Sequence, residues 1–405
     1  MNSKTDFENI IDRRGTGCEK WDANLPSGVE LTEEQRADII PLWVADMDFP
    51  VAPCIQDAMR RRLEHGVFGY VKPMEPYYEA IIEWFRKRHG VCFKREWMLY
   101  TTGVIPAIAA TLKALAKPGE GVIVQTPVYN HFFSSIRNSG CRRVDNKLRR
   151  RDLPGGLFTY EMDYDDLEEK CADPGNKILL LCNPHNPAGR LWNADELRRA
   201  GEIAARNGVI VVSDEIHCEI IPQGRPYTPF ASLGEEFVHN CVTLISPSKS
   251  FNFAGLKMAT IISDRPQWRQ AIDRVLNIYE ICDVNPFGPV ATVAAYSDEG
   301  AEWLEGMNAT VRRNYDKLVE SFRSELPDFP VAVLEATYLA WVDTSVLKMP
   351  SEEIERELLR CEQVWINAGS MYGDDDYIRI NAACPPALFD KGLERIISGL
   401  KNLAI

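Results

Sequence analysis

Between residues 98 and 263 the chain alternates short, near-continuous apolar runs with helical stretches, and nothing else in the sequence restricts its fold as strongly. The runs MLYT (98–101), GVIVQ (121–125), KILLLC (177–182), GVIVVS (208–213), VTLIS (242–246) and ATIIS (259–263) lack the polar alternation of a strand with one wet face. Strands of this kind are buried on both sides, which predicts a mostly parallel sheet covered by helices. The intervening segments agree. Residues 104–116 read as a helix opened by Gly103 and Pro106 and closed by Pro118-Gly119; residues 194–207 read as one opened by Asn193 and closed by Asn207-Gly208. Beyond Pro286 the pattern changes to a long amphipathic stretch (299–325), short strands at 331–334, 338–343 and 377–381, and a closing helix over 386–403. The expected organisation is a large α/β domain over 46–290 and a smaller α+β domain assembled from 1–45 and 291–405.

Charge and cysteine usage narrow the class. The 405 residues include 46 Lys+Arg against 59 Asp+Glu, a formal net charge of −13. An acidic chain without clustered positive charge argues against a nucleic-acid partner. No apolar run is long enough to span a bilayer, and MNSKTDFENI lacks the basic and apolar regions of a signal peptide, so a cytoplasmic protein is expected with no membrane partner. The 11 cysteines are odd in number and form no C-x-x-C pair, and the 6 histidines show no metal spacing. They read as reduced packing thiols, and a metal site is not expected.

In an open α/β sheet, ligands bind beyond the carboxyl ends of the strands. Four loops there carry unusual polar sequences: Thr102-Gly103-Val104, NPHNPAG (183–189), DEIH (214–217) and SPSKS (246–250). Lys249 stands out, because a lysine in a dry crevice has a lowered pKa and can act as an amine nucleophile or base. Alone, such a lysine is usually a solvated surface charge. Asp214 ends an apolar strand, where a carboxylate is costly unless it meets a cation. Alone, it reads equally as a helix cap or an ion pair.

Together, the loop at Gly103, the Asn-Pro-x-Gly at 186–189, strand-terminal Asp214 and Ser-x-x-Lys at 246–249 resemble the aspartate-aminotransferase superfamily of pyridoxal 5′-phosphate (PLP) enzymes, the type I fold. Within it, PLWVADMDF (41–49), FGY (68–70), TPVYN (126–130), LCNPHNPAGR (181–190), VSDEIH (212–217) and RINAACP (379–385) resemble the MalY/PatB group of cystathionine β-lyases. The resemblance implies a seven-stranded, mostly parallel sheet in the large domain. It implies that Lys249 holds PLP covalently and moves the substrate Cα proton, and that Asp214 pairs with the pyridinium nitrogen. Asn186 and His217 would meet the 3′-oxygen, and Tyr129 would stack on the ring; by itself Tyr129 is an ordinary half-buried aromatic. The backbone of Gly103 and Val104 at a helix N-terminus and the hydroxyls of Ser246 and Ser248 would cup the phosphate. Lys257 stands where many aminotransferases carry an arginine, and a point charge cannot grip phosphate bidentately. Tyr70 would reach the neighbouring subunit's phosphate, implying a homodimer. Arg379 would clamp the substrate α-carboxylate. Asp46, Met47 and Asp48 would form the substrate-side lip.

The function implied is α,β-elimination on L-cystathionine or a related cysteine thioether, giving a thiol, pyruvate and ammonia. An aminotransferase has the same core residues and remains the alternative. A PLP-fold regulatory protein acting through protein binding is the alternative of another class.

Overall fold

The computed structural model describes residues 6–404. Seven strands form the larger sheet: β1 (Met98–Thr101), β2 (Gly121–Val124), β3 (Arg142–Asp145), β4 (Asn176–Cys182), β5 (Ile210–Asp214), β6 (Cys241–Ile245) and β7 (Ala259–Ile262). Their spatial order is β1-β7-β6-β5-β4-β2-β3. All neighbours run parallel except β7, which is antiparallel to both β1 and β6. Six strands lie where the apolar runs predicted them. The seventh, β3, reads RRVD and has exposed arginines at 142 and 143. It is an edge strand, where charge deters pairing with other chains and removes the apolar signature.

Burial on both faces is visible residue by residue. In β4, Ile178 and Leu180 pack on one face with Val104, Ala107, Ile108 and Leu112 of the helix Val104–Leu115 (α1). Leu179 and Leu181 pack on the other with Leu197, Ala200, Ile203 and Ala204 of the helix Ala194–Arg206 (α3). The latter helix starts with a capping box in which Asn193 accepts from the Asp195 and Glu196 amides and Glu196 reaches back to the Asn193 amide. Between them in the chain, Asn130–Asn138 (α2) follows β2.

A second, six-stranded sheet has the order Asn367–Ala368, Tyr377–Asn381, Leu339–Asp343, Val331–Ala332, Leu157–Glu161, Arg149–Leu153. Its last two strands are an arginine-rich hairpin from inside the 46–290 segment, which the sequence reading did not assign to any sheet. The long helix Asp298–Glu325 and the closing helix Pro386–Leu403 lie close to expectation. The N-terminal segment docks on the C-terminal part: Ile40–Pro41 pairs in parallel with Val364–Trp365, and Trp43 stacks on Trp365 with ring centroids 4.4 Å apart. Among the described residues no helix is long and apolar enough to cross a membrane.

Candidate active site

The larger sheet reverses its direction of growth between β2 and β4: the chain leaves β2 outward to β3 but leaves β4 the other way, to β5. Such a point opens a crevice at the carboxyl ends of the two strands. A cavity of about 520 Å³ lies there, lined by Tyr129 after β2, Cys182 and Asn186 at the end of β4 and beyond, Asp214 and His217 at the end of β5, and Ser248 and Lys249 after β6. Thr102, Gly103 and Val104 close one end, with Lys257, Met258 and Ala45 completing the wall.

The polar groups inside are poorly satisfied by the protein itself. Asp214 is buried, and its carboxylate accepts the Ile216 amide at 3.1 Å, with no cation bonded to it. Burial, reinforced by the neighbouring Glu215, pushes it up to about 7. His217 is buried edge-on to Tyr338, and its Nδ1 has no partner. Burial, helped by the nearby positive charges of Lys249 and Arg379, brings it down to about 3, so the ring is neutral at neutral pH. Lys249 donates to the Ala45 carbonyl. Burial, opposed by the attraction of Asp46, brings its amine down to about 8, so roughly a tenth of it is neutral at pH 7, far more than for an ordinary lysine.

Arg379 is buried in the strand Tyr377–Asn381 of the second sheet. It donates to the Asn186 side-chain oxygen at 3.1 Å and to the Trp43 carbonyl at 2.9 Å, while its Nε is unpartnered. The Tyr372 ring lies 4.6 Å from the guanidinium carbon. Arg379 therefore adjoins the cavity through Asn186 rather than lining it.

At the far end, Gly103 caps α1 with φ 152° and ψ 165°, a conformation open to glycine and rarely to other residues. It brings a helix N-terminus to the cavity wall, where backbone N–H groups favour an anion. Ser248 lines the cavity. Ser246, grouped with it as a phosphate donor, does not: its hydroxyl donates to the Met258 carbonyl at 2.5 Å and accepts the Ser248 amide at 3.1 Å, which shapes the turn. Lys257 is exposed at the rim. Tyr70 is fully exposed and lies outside the cavity of its own chain.

The expected lip needs correction. Met47 and Asp48 are buried away from the cavity, and of the 45–48 stretch only Ala45 lines it. Asp48 is held by the wholly buried Lys20 ammonium at 2.6 Å, by Arg13 at 2.7 Å and by the Trp21 indole at 2.8 Å, and Arg13 also holds Asp46. Lys20 and Arg13 carry no sequence signal, because their partners lie some thirty residues away.

A ring with a protonatable nitrogen, a ring oxygen and a phosphate fits this donor set: the uncompensated Asp214, the unpartnered His217 Nδ1 and the glycine-capped helix end each lack the partner such a group would bring.

This sheet order and this cavity define a fold-type, and the family model agrees: the chain belongs to the aminotransferase class I and II family, matched over residues 37–396. More particularly, it is similar to the cystathionine beta-lyase PatB of Bacillus subtilis, 35% identical over 97% of this chain and 99% of the relative. It is 31% identical to Protein MalY of Escherichia coli over 98% and 99% of the two chains. The crystal structure of cystalysin from Treponema denticola, which contains PLP, superposes with a TM-score of 0.91 at 32% identity, covering 99% of this chain and 100% of that one.

Proposed function

We propose that this chain is a PLP-dependent carbon–sulfur β-lyase of the cystathionine β-lyase type. The observation that carries the reading is the placing of a Lys249 amine near neutrality and an uncompensated Asp214 carboxylate in one cavity, with Arg379 adjoining it through Asn186. Relatives named for this activity, similar along their full length, support it.

Lys249 would hold the cofactor covalently, and its free amine would take the Cα proton at Nζ. PLP, when bound, supplies the sink for the electrons that this proton leaves behind. Asp214 would hold a proton on the ring nitrogen, neutral His217 and Asn186 would hold the ring oxygen, and Tyr129 would cover one ring face. Gly103, Val104 and Ser248 take the phosphate, with Lys257 at the rim and Ser246 shaping the turn behind. Arg379 orients the substrate by its α-carboxylate through two N–H groups, the free Nε and the Nη2 that turns from the Trp43 carbonyl. The Cβ–S bond then breaks, the sulfur leaves as thiolate, and the three-carbon enamine hydrolyses to pyruvate and ammonia. With L-cystathionine the thiol is homocysteine, a place in methionine biosynthesis.

The chain works as a homodimer in the cytoplasm in this reading. Tyr70, fully exposed beside exposed Val67, Phe68 and Met74, would complete the phosphate site of the partner subunit. The 11 cysteines are all free, in keeping with a reducing compartment. Purified protein given L-cystathionine and no keto acid should release stoichiometric pyruvate. Turnover that requires 2-oxoglutarate would overturn the lyase in favour of an aminotransferase, the reaction for which the matched family is named.

A further inference from the structure

The segment 43–47 is a strap that meets the cavity at Ala45 and is held largely by side chains. Every carbonyl from Trp43 to Met47 accepts from at least one. Asn381 binds the Val44 and Asp46 carbonyls at 2.6 and 2.7 Å, and Asn252 binds that of Met47 at 2.9 Å. Each of these three has a second donor as well: the Asp46 amide for Val44 at 2.9 Å, the Lys20 ammonium for Asp46 at 3.4 Å and Arg13 for Met47 at 2.9 Å, none of which lines the cavity. Trp43 and Ala45 differ in the kind of donor they share. Trp43 accepts from Arg379 at 2.9 Å and from Asn367 at 2.8 Å; Ala45 accepts from Lys249 and from Tyr338 at 2.9 Å. In each pair one donor belongs to a group that must turn toward a ligand. The other is a buried side chain outside the cavity wall.

We propose that Tyr338 and Asn367 are positioning residues, second donors that keep the Ala45 and Trp43 carbonyls bonded when Lys249 turns to the cofactor and Arg379 to the substrate. The inference rests on the reading above that Lys249 carries PLP. Without a second donor, recruiting Lys249 would leave the Ala45 carbonyl bare and loosen the wall of the cavity at the moment the substrate arrives. With it, the strap has the same anchor in every state. Hydrogen bonding is thereby decoupled from chemistry.

Hydrogen exchange over 43–48, followed by mass spectrometry in the apoprotein and the PLP-loaded protein, tests this. Tyr338→Phe should exchange like wild type in the apoprotein, where Lys249 still holds Ala45, and several-fold faster only after loading. Asn367→Ser should raise KM about fivefold with little change in kcat, the lower end of the cost of leaving an acceptor without its donor. Its strap should loosen only when a non-eliminable amino acid such as L-alanine occupies the loaded site. Equal loosening of the Tyr338→Phe strap in both forms would mean a merely structural tyrosine and overturn the proposal, as would no change in either. Borohydride trapping of a pyridoxyl group on Lys249 reports separately on the underlying reading. Its absence would overturn the proposed function, whereas trapping with a state-independent strap would overturn this inference alone.

Discussion

Replacing Asp214 by asparagine should stabilise the protein without cofactor and weaken its hold on cofactor. The carboxyl is buried, accepts one backbone N–H and meets no cation, and burial holds it at about 7 against an ordinary 3.8. It therefore binds its proton more tightly folded than unfolded. Below the unfolded value both states are protonated and nothing is lost; as pH rises from there through about 7, stability falls, and above it the deficit is constant. The deficit at pH 8 is on the order of 4 kcal/mol. The amide keeps the Ile216 contact but buries an NH₂ without an acceptor, costing about 1–3 kcal/mol. The apo variant should thus be more stable than wild type by about 1–3 kcal/mol at pH 8, and less stable by a similar amount near pH 4. Denaturant unfolding of both apoproteins across this range measures the difference; Glu215, also raised to about 7 by burial, repels a charged Asp214 only in wild type, so this coupling adds to the difference in the same direction. Added PLP should stabilise wild type more than the variant, which has no charge to hold a ring proton. A variant less stable than wild type at pH 8, or a difference that does not change with pH, would refute the reasoning.

Amine-directed labelling of Lys249 in the apoprotein, followed by peptide mass spectrometry, should show a pH midpoint near 8, because burial disfavours the ammonium; a midpoint at the ordinary 10.5 would contradict it. Arg379→Lys keeps the charge but loses the planar fork, so kcat/KM for L-cystathionine should fall roughly 10–100-fold, mostly in KM. Lys20→Met breaks a buried pair and leaves Asp48 to Arg13 and Trp21, which should lower unfolding free energy by about 3 kcal/mol. Lyase activity per folded molecule should change little, since neither group lines the cavity.

The parts of the fold legible in sequence were those whose burial is local. Six strands of the larger sheet, α1, α3 and the long C-terminal helices have one- or two-sided apolar patterns readable within a single segment. The edge strand β3 and the hairpin 149–161 are charged where they face water, and their pairing partners are remote, so they left no pattern. Among site residues, Asp214, Lys249 and Gly103 were legible because each follows a strand whose end must face the crevice. Tyr338, Asn367, Lys20 and Arg13 were not, because each earns its meaning from a carbonyl or carboxylate far along the chain.

The sequence by itself determined the sheet class and the set of loops that line the cavity, since strand periodicity and the order of polar loops are properties of neighbouring residues. Only the tertiary structure decided which polar groups remain unpaired. Ser246 is taken by the Met258 carbonyl and Asp48 by Lys20, whereas Asp214, His217 and the Arg379 Nε are left with unmet hydrogen-bonding or charge capacity. Desolvation and hydrogen bonding depend on what surrounds a group in space, and it is those unmet capacities, rather than residue identity, that give this cavity something to bind.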